Sequence, residues 1–110
     1  MENVRIKAIK RINTRNRQLI TNVTFANVLE QARQRDEGAL ITLYERSLPV
    51  VYRFVLVRVR RPDLAEDIVS DVFLTMVESI QNLRTDQEAG FYAWLIQIAQ
   101  GKIVSIFDSY

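Results

Sequence analysis

Apolar residues recur at helical spacing along most of this 110-residue chain. From residue 24 onwards they return every three or four positions, as on the buried side of an amphipathic helix. Only three Gly and two Pro interrupt the sequence, which favours long helices over a sheet with many turns. The pattern predicts an all-α fold without a sheet, a compact helical bundle of about four helices at residues 24–35, 37–60, 63–81 and 91–107.

Residues that favour helix starts precede three of these segments. Thr24 and Asp36 can cap the first two helices, because their side-chain oxygens can accept a backbone N–H of the first turn. Pro62 and Asp63 open the third, where proline's missing N–H costs nothing and an acidic side chain suits the helix dipole. The third helix has the clearest periodicity, with paired apolar positions every four residues.

Residues 50–59 leave two structures open. They are rich in β-branched and aromatic residues, so on propensity alone they suit a strand. The apolar stripe continues into them from Leu40, and arginines follow at the end, which favours a helix and its C-terminus. Pro49 should kink or restart this helix, with Ser47 as the cap of the restarted part.

Composition removes several classes of function. The chain has no His and no Cys, which excludes imidazole bases, thiolate metal sites and disulfides. Hydrophobic residues make up 48%, enough for the core of one domain. No apolar run approaches the ~18 residues that span a bilayer. We expect a cytoplasmic binding protein that is not an enzyme and needs no cofactor.

Charge is distributed unevenly along the chain. Residues 1–35 hold eight Lys or Arg and two Glu, a net charge of +6, whereas residues 36–110 hold seven bases and eleven acids, a net charge of −4. We interpret residues 1–22 as a basic N-terminal arm and residues 23–110 as the helical domain. The arm suits a polyanion, an acidic protein surface or the acidic body itself, and a solvated leader without a partner is equally consistent.

The third predicted helix carries acids that no nearby base offsets. No Lys or Arg occurs from Pro62 to Leu83. Asp63, Asp67 and Asp71 lie four residues apart and therefore line one side of the helix, here termed the acidic ridge. Like charges at this spacing repel by a few tenths of a kcal/mol per pair. The ridge is either a docking surface for a basic partner or a solvated face held by tertiary packing.

The same carboxylates are poor candidates for metal ligands or acid–base catalysts. Carboxylate sites in helical bundles combine Glu with Glu-x-x-His motifs, and this chain has no histidine. The ridge also lies on the predicted solvent side of its helix. We therefore expect neither a metal site nor a catalytic site.

Three blocks of the sequence resemble one protein family. Residues 39–54 look like the opening helix of sigma region two. Residues 65–74, AEDIVSDVFL, closely resemble its most recognisable motif, and residues 91–99, FYAWLIQIA, resemble its last helix. Their order and spacing agree over roughly residues 36–107. The chain thus resembles region two of bacterial RNA polymerase sigma factors of the extracytoplasmic-function class.

The resemblance implies a role for the third helix. In this family the helix with the Ala-Glu-Asp motif docks on the clamp helices of the largest subunit of the RNA polymerase core. Carried over, the polymerase-binding residues are Glu66, Asp67, Asp71 and Leu74. This agrees with a basic partner for the acidic ridge. An anti-sigma factor is a further partner that the family suggests.

The resemblance also implies contact with the non-template single strand of promoter DNA. Residues 82–90 match the family's loop that holds a flipped base of the minus-ten element, where pocket contacts and stacking supply recognition. The residues implied are Asn82, Arg84 and Tyr92. Lys102 is the one base in the last helix that can neutralise a phosphate.

Departures from the family pattern keep a second function open. Where the family's last helix carries several arginines, this chain has Gln97, Gln100, Gly101, Ser105 and Asp108, which should weaken its hold on DNA. The leading interpretation is a transcription initiation factor domain that docks on polymerase and helps recognise and melt the minus-ten element. The alternative is a sigma-like interaction protein that binds polymerase or an anti-sigma partner with little DNA recognition. A plain oligomerising bundle is a third.

The family's second domain, a helix-turn-helix that binds the minus-thirty-five element, has no counterpart in these 110 residues. The chain is therefore expected to be either a fragment or a naturally truncated relative.

Overall fold

Four α-helices and one short 3₁₀ segment make up residues 22–108, the part of the chain that the computed structural model describes. In order they are α1 (Asn22–Arg33), α2 (Glu37–Val59), α3 (Pro62–Ser79), the 3₁₀ segment (Ile80–Asn82) and α4 (Glu88–Asp108). These residues contain no strand, so the all-α prediction is confirmed, including the helix at 50–59. Apart from Asn22, the predicted basic arm lies outside the described residues. None of the four helices is long and apolar enough to cross a bilayer.

Two of the three predicted helix starts are confirmed. Asp36 caps α2, since its carboxylate accepts the backbone N–H of Ala39 at 2.8 Å. Pro62 is the first residue of α3. The prediction for Thr24 is wrong, because α1 begins two residues earlier and Thr24 lies inside its first turn. The apolar stripe used for the prediction starts only at Phe25, and the described helix also includes Asn22, Val23 and Thr24, which do not belong to that stripe.

Helix α2 runs through Pro49 without restarting, so the prediction that Ser47 caps a second helix is wrong. Ser47 is fully buried, and its hydroxyl donates to the carbonyl oxygen of Leu43 at 2.5 Å. Pro49 lies on the exposed side, so its missing N–H removes one helical hydrogen bond where water reaches the backbone. Burial of Val51 and Val55 beyond the proline holds the helix together.

The core lies between α2 and the other helices. Helix α2 packs against α1, α3 and α4, and α3 packs against α4. The largest fully buried apolar side chains come from every helix and the 3₁₀ segment: Phe25, Leu29, Leu43, Val51, Val55, Ile68, Val72, Met76, Ile80, Phe91 and Leu95. Their burial fixes the orientation of α3 and α4, which carry the predicted binding residues.

Helix α4 begins at Glu88, three residues before its predicted start. The predicted loop at 82–90 is therefore wrong at both ends, and the irregular segment is Leu83–Gln87, here termed the 83–87 loop. Thr85 orders the turn, because its hydroxyl oxygen accepts the N–H of Gln87 at 3.2 Å. Glu88 then stands in the first turn, where its charge favours the helix dipole.

The 83–87 loop lies directly against the start of α4. A Cβ atom placed on Gly90 would lie 2.5 Å from the hydroxyl oxygen of Thr85 and 2.9 Å from its Cβ. Such distances are well inside van der Waals contact, so any side chain here would displace the loop. Gly101, in the same helix, has no atom within 4 Å of that position.

We predict opposite effects for alanine at these two glycines. Gly101→Ala should raise the free energy of unfolding by about 0.5–1 kcal/mol, because alanine loses less backbone entropy in a helix than glycine. Gly90→Ala should lower it by about 1–3 kcal/mol, because Thr85 must move. Urea denaturation of both variants checks this. Equal stabilisation by both substitutions would show that the loop does not lie against α4.

Candidate functional site

The acidic ridge faces solvent along α3. Asp63, Asp67 and Asp71 are all exposed, as is Glu66 beside them. The opposite face of the helix is buried, at Ala65, Ile68, Val69, Val72, Phe73 and Met76. Packing therefore directs the carboxylates away from the core. Leu74, one turn beyond Asp71, is 58% exposed and adds an apolar side chain to the same surface.

The ridge is not uniform in charge. The carboxylate of Asp63 accepts a hydrogen bond from the Arg61 guanidinium at 3.0 Å. This bond, helped by a backbone N–H, lowers the pKa of Asp63. Within residues 22–108, no ion pair forms at Glu66, Asp67 or Asp71. The charge available to a partner is therefore concentrated on these three residues.

An apolar groove borders the ridge between α2 and α3. It has a volume of about 420 Å³ and is lined by Tyr44, Leu48, Pro49, Tyr52, Glu66, Val69 and Ser70. The ring of Tyr44 packs edge-on against Phe73, with centroids 4.8 Å apart, yet 42% of Tyr44 is exposed. The surface thus offers apolar contacts next to unpaired carboxylates, which suits a basic partner with an apolar side.

The 83–87 loop is held by an arginine from a distant part of the sequence. Arg33, in the last turn of α1, donates from Nε to the carbonyl oxygen of Leu83 at 3.0 Å and from Nη2 to that of Thr85 at 2.6 Å. Its Nη1 donates to carboxylate oxygens of Asp86 and Glu30, both at 3.1 Å. We term these contacts the Arg33 clamp. They give the loop one defined course across the end of the bundle.

Arg35 makes a second long-range contact beside the clamp. Its backbone is left-handed, with φ of 70°, and its Nη1 donates to the carbonyl oxygen of Val77 in the last turn of α3. That carbonyl is one of those a helix leaves without a helical donor at its C-terminus. The turn after α1 therefore supports both the end of α3 and the loop that follows it.

Sequence reasoning missed both arginines. It counted Arg33 and Arg35 with the basic residues of the N-terminal part, whereas the structure places them against the helical body. Their partners lie 42 to 53 residues further along the chain. No periodicity or local motif connects residues so far apart. The one local feature of Arg33 is its position in the last turn of α1. A basic residue there is ordinarily explained by its favourable interaction with the helix dipole, not by a contact with a distant loop.

The predicted DNA-binding residues lie on three different parts of the surface. Asn82, at the end of the 3₁₀ segment, and Arg84, in the loop, are both exposed and adjacent in sequence to buried Leu83. Tyr92 lies in the first turns of α4. Lys102, half-buried, is ten residues further on, about 15 Å along the helix axis. Asn82 and Arg84 are therefore close in sequence on either side of Leu83, whereas Lys102 lies about three turns along α4 from Tyr92.

Tyr92 is tied to α2. Its hydroxyl donates to the carbonyl oxygen of Arg46 at 3.3 Å, while Arg46 Nε lies 3.5 Å from Glu88 Oε1. Burial, reinforced by the negative charge of Glu88, raises the pKa of Tyr92. The phenol therefore remains a hydrogen-bond donor at neutral pH. Because the side chain is half-buried, only part of the ring is open to a nucleic-acid base.

The family comparison fits this arrangement. The chain matches the family model for Sigma-70 region 2 over residues 43–108. Comparison with curated proteins and with solved structures gave no significant match. The matched residues include most of α2, all of α3, the 83–87 loop and α4. Because the match covers more than half of the chain and takes in both the acidic ridge and the loop, this chain belongs to the sigma-70 region 2 family.

Proposed function

We propose that this chain docks on the RNA polymerase core through the outer face of α3 and, in that complex, helps recognise and melt the promoter minus-ten element. The family acts in transcription initiation. The observation that carries the docking proposal is the exposed, unpaired state of Glu66, Asp67 and Asp71 within the described residues. Carboxylates that form no ion pair with the described residues are available to a basic surface.

The apolar neighbours of the ridge complete the docking surface. Leu74 loses water-exposed area when a partner covers it, and burying a leucine fully contributes about 1.5–3 kcal/mol. The groove between α2 and α3 accepts apolar side chains from the same partner. Charge then sets orientation and association rate, while the apolar contacts set how long the complex lasts.

DNA recognition is proposed for the 83–87 loop and its neighbour Asn82. Asn82 offers amide donors and acceptors, and Arg84 offers a guanidinium for a base edge or a phosphate. Both side chains are exposed, and Arg33 holds the loop backbone through the carbonyl groups of Leu83 and Thr85. Tyr92 and Lys102 contribute a partial aromatic surface and one phosphate contact. The polymerase carries out the chemistry, so the chain itself is proposed to be a non-enzymatic, cytoplasmic factor without a cofactor.

Two further family traits are part of the proposal. We also propose that the chain belongs to the extracytoplasmic-function class of sigma factors, and the resemblance of residues 65–74 to that class's motif supports this. An anti-sigma factor is proposed as a competitor for the docking surface, because a protein that covers Asp67 and Asp71 would exclude the polymerase.

Charge reversal on the ridge tests the docking proposal. Asp67→Lys combined with Asp71→Lys should abolish binding to the polymerase core, because two attractive contacts become repulsive. Stability should hold or rise by a few tenths of a kcal/mol, because a lysine at position 67 attracts Asp63 four residues before it, whereas two lysines at 67 and 71 repel each other about as the two acids do. Binding is measured by pull-down with core polymerase, and folding by circular dichroism.

Asp108→Lys is the matched control, because it reverses an exposed acid at the end of α4, on a different helix. It should leave polymerase binding unchanged. A folded double variant that binds polymerase like the unsubstituted chain would overturn the docking proposal.

One observation favours a second function: the last helix contains few basic side chains. Within α4, Lys102 is the single Lys or Arg. A sigma-like protein that docks on polymerase or on an anti-sigma partner, with little DNA recognition, would have this charge pattern.

Salt dependence and loop substitutions separate the two functions. For a single strand, the slope of log affinity against log salt is about −0.7 per neutralised phosphate. The helical body should show a shallow slope, equal to about one or two contacts from Arg84 and Lys102. If the basic arm binds phosphate, the full chain should show a steeper slope, and deletion of residues 1–22 should flatten it. Asn82→Ala with Arg84→Ala should erase preference for a minus-ten strand over a scrambled one. Fluorescence anisotropy measures the salt slope on the chain alone and the minus-ten preference with core polymerase present.

Absence of any minus-ten preference in the unsubstituted chain, at low salt and with polymerase bound, would favour the sigma-like docking protein. Preference that survives both loop substitutions would remove Asn82 and Arg84 from the proposed DNA site.

A further inference from the structure

The Arg33 clamp differs from an ordinary surface contact in its burial and in its number of hydrogen bonds. Only 16% of the Arg33 side chain is exposed, and its three nitrogens donate to four acceptors. Two of these are backbone carbonyls of the 83–87 loop and one is a loop carboxylate. Hydrogen bonds with one charged partner are roughly twice as strong as neutral ones. Arg33 also lies before the family match, which begins at residue 43.

The clamped carbonyls lie on either side of Arg84. Leu83 and Thr85 contribute the two backbone acceptors, so the residues before and after Arg84 are both anchored through their carbonyl groups while the Arg84 side chain stays exposed. The side chain of Thr85 also rests against Gly90 at the start of α4. The loop is therefore held by both a guanidinium and a helix.

We propose that Arg33 is a positioning residue for DNA recognition: it fixes the 83–87 loop so that Asn82 and Arg84 meet a minus-ten base in one arrangement, without touching DNA itself. The inference rests on the proposed role of the loop. Ordering the backbone of one residue costs about 1–2 kcal/mol of free energy. When a loop is already ordered before binding, this cost does not reduce the free energy of binding. The benefit applies to base contacts, which need defined geometry, more than to phosphate attraction.

Arg33→Lys separates positioning from charge. Lysine keeps the positive charge and the long stem, but its ammonium cannot meet three loop acceptors with a planar fork. In the full chain bound to core polymerase, preference for a minus-ten strand over a scrambled strand should fall about tenfold, the change that follows from roughly 1.4 kcal/mol of lost preorganisation. Affinity for the scrambled strand and the salt slope should stay the same within about twofold.

Arg35→Lys is the matched control. Arg35 lies two residues away, and its side chain donates one hydrogen bond, to the carbonyl of Val77, which a lysine can also donate. This variant should keep the full minus-ten preference. Loss of preference in both variants would attribute the effect to the turn after α1 as a whole and overturn a specific role for Arg33.

Trypsin gives a readout that needs no DNA. The enzyme cleaves after Arg84 only when the loop opens, and Arg33→Lys leaves the number of cleavable sites unchanged. Cleavage between Arg84 and Thr85 should be about tenfold faster in Arg33→Lys, while cleavage after exposed Arg60 serves as the internal reference. Unchanged cleavage at Arg84 would show that Arg33 does not hold the loop and would overturn the inference.

Different results would overturn the proposed DNA role of the chain and the positioning role of Arg33. A full chain with no minus-ten preference overturns the proposed DNA role, whereas a clear preference that survives in folded Arg33→Lys overturns the positioning role alone. If Arg33→Lys fails to fold by circular dichroism, Asp86→Ala replaces it, because the Asp86 side chain is 67% exposed and contributes one contact to the clamp. That variant should lower the preference two- to threefold, and an unchanged preference would overturn the inference.

Discussion

One row of buried residues on α2 holds the bundle together. Ala39, Leu43, Ser47, Val51, Val55 and Val59 recur every four residues and are all buried, and the helix that carries them packs against each of the other three. Ser47 is the one polar member, and it is accommodated because its hydroxyl finds an acceptor one turn back. The buried valines after Pro49, together with the solvent exposure of the proline itself, explain how a proline is tolerated in the middle of the longest of the four helices.

The charge pattern of α3 follows from this packing. The apolar side of α3 is committed to α2 and α4, which leaves its carboxylates in water with no basic residue on their own helix. A helix stabilised only by its own side-chain pairs would tolerate such a row poorly. Because tertiary burial supplies the stability, the outer face is free to carry a charge pattern suited to a partner.

Sequence analysis predicted what depends on local pattern. Four-residue spacing of apolar positions was enough for α3, and the unbroken stripe identified 50–59 as helix despite its strand-like composition, because buried helical residues override propensity. The exposure of Glu66, Asp67 and Asp71 followed from the same periodicity. The family assignment rested on spacing between blocks, and it agrees with the family match.

What sequence analysis missed depends on contacts between distant segments. The order of the 83–87 loop comes from Arg33 and from close contact with Gly90, neither of which periodicity can express. The early start of α4 depends on a side-chain hydrogen bond of Thr85 inside what looked like an uninterrupted polar loop. Of the candidate DNA residues, Tyr92 is partly used in a contact with α2, which local sequence pattern also does not reveal.

The central claim is that α3 meets the polymerase through its outer face. A photo-crosslinking amino acid at Leu74 tests it directly, with Phe107 as the comparison, because the two side chains are 58% and 52% exposed on different helices. In complexes with the polymerase core, the probe at position 74 should crosslink to the largest subunit and the probe at position 107 should not. Crosslinking to that subunit from position 107 alone would contradict this account.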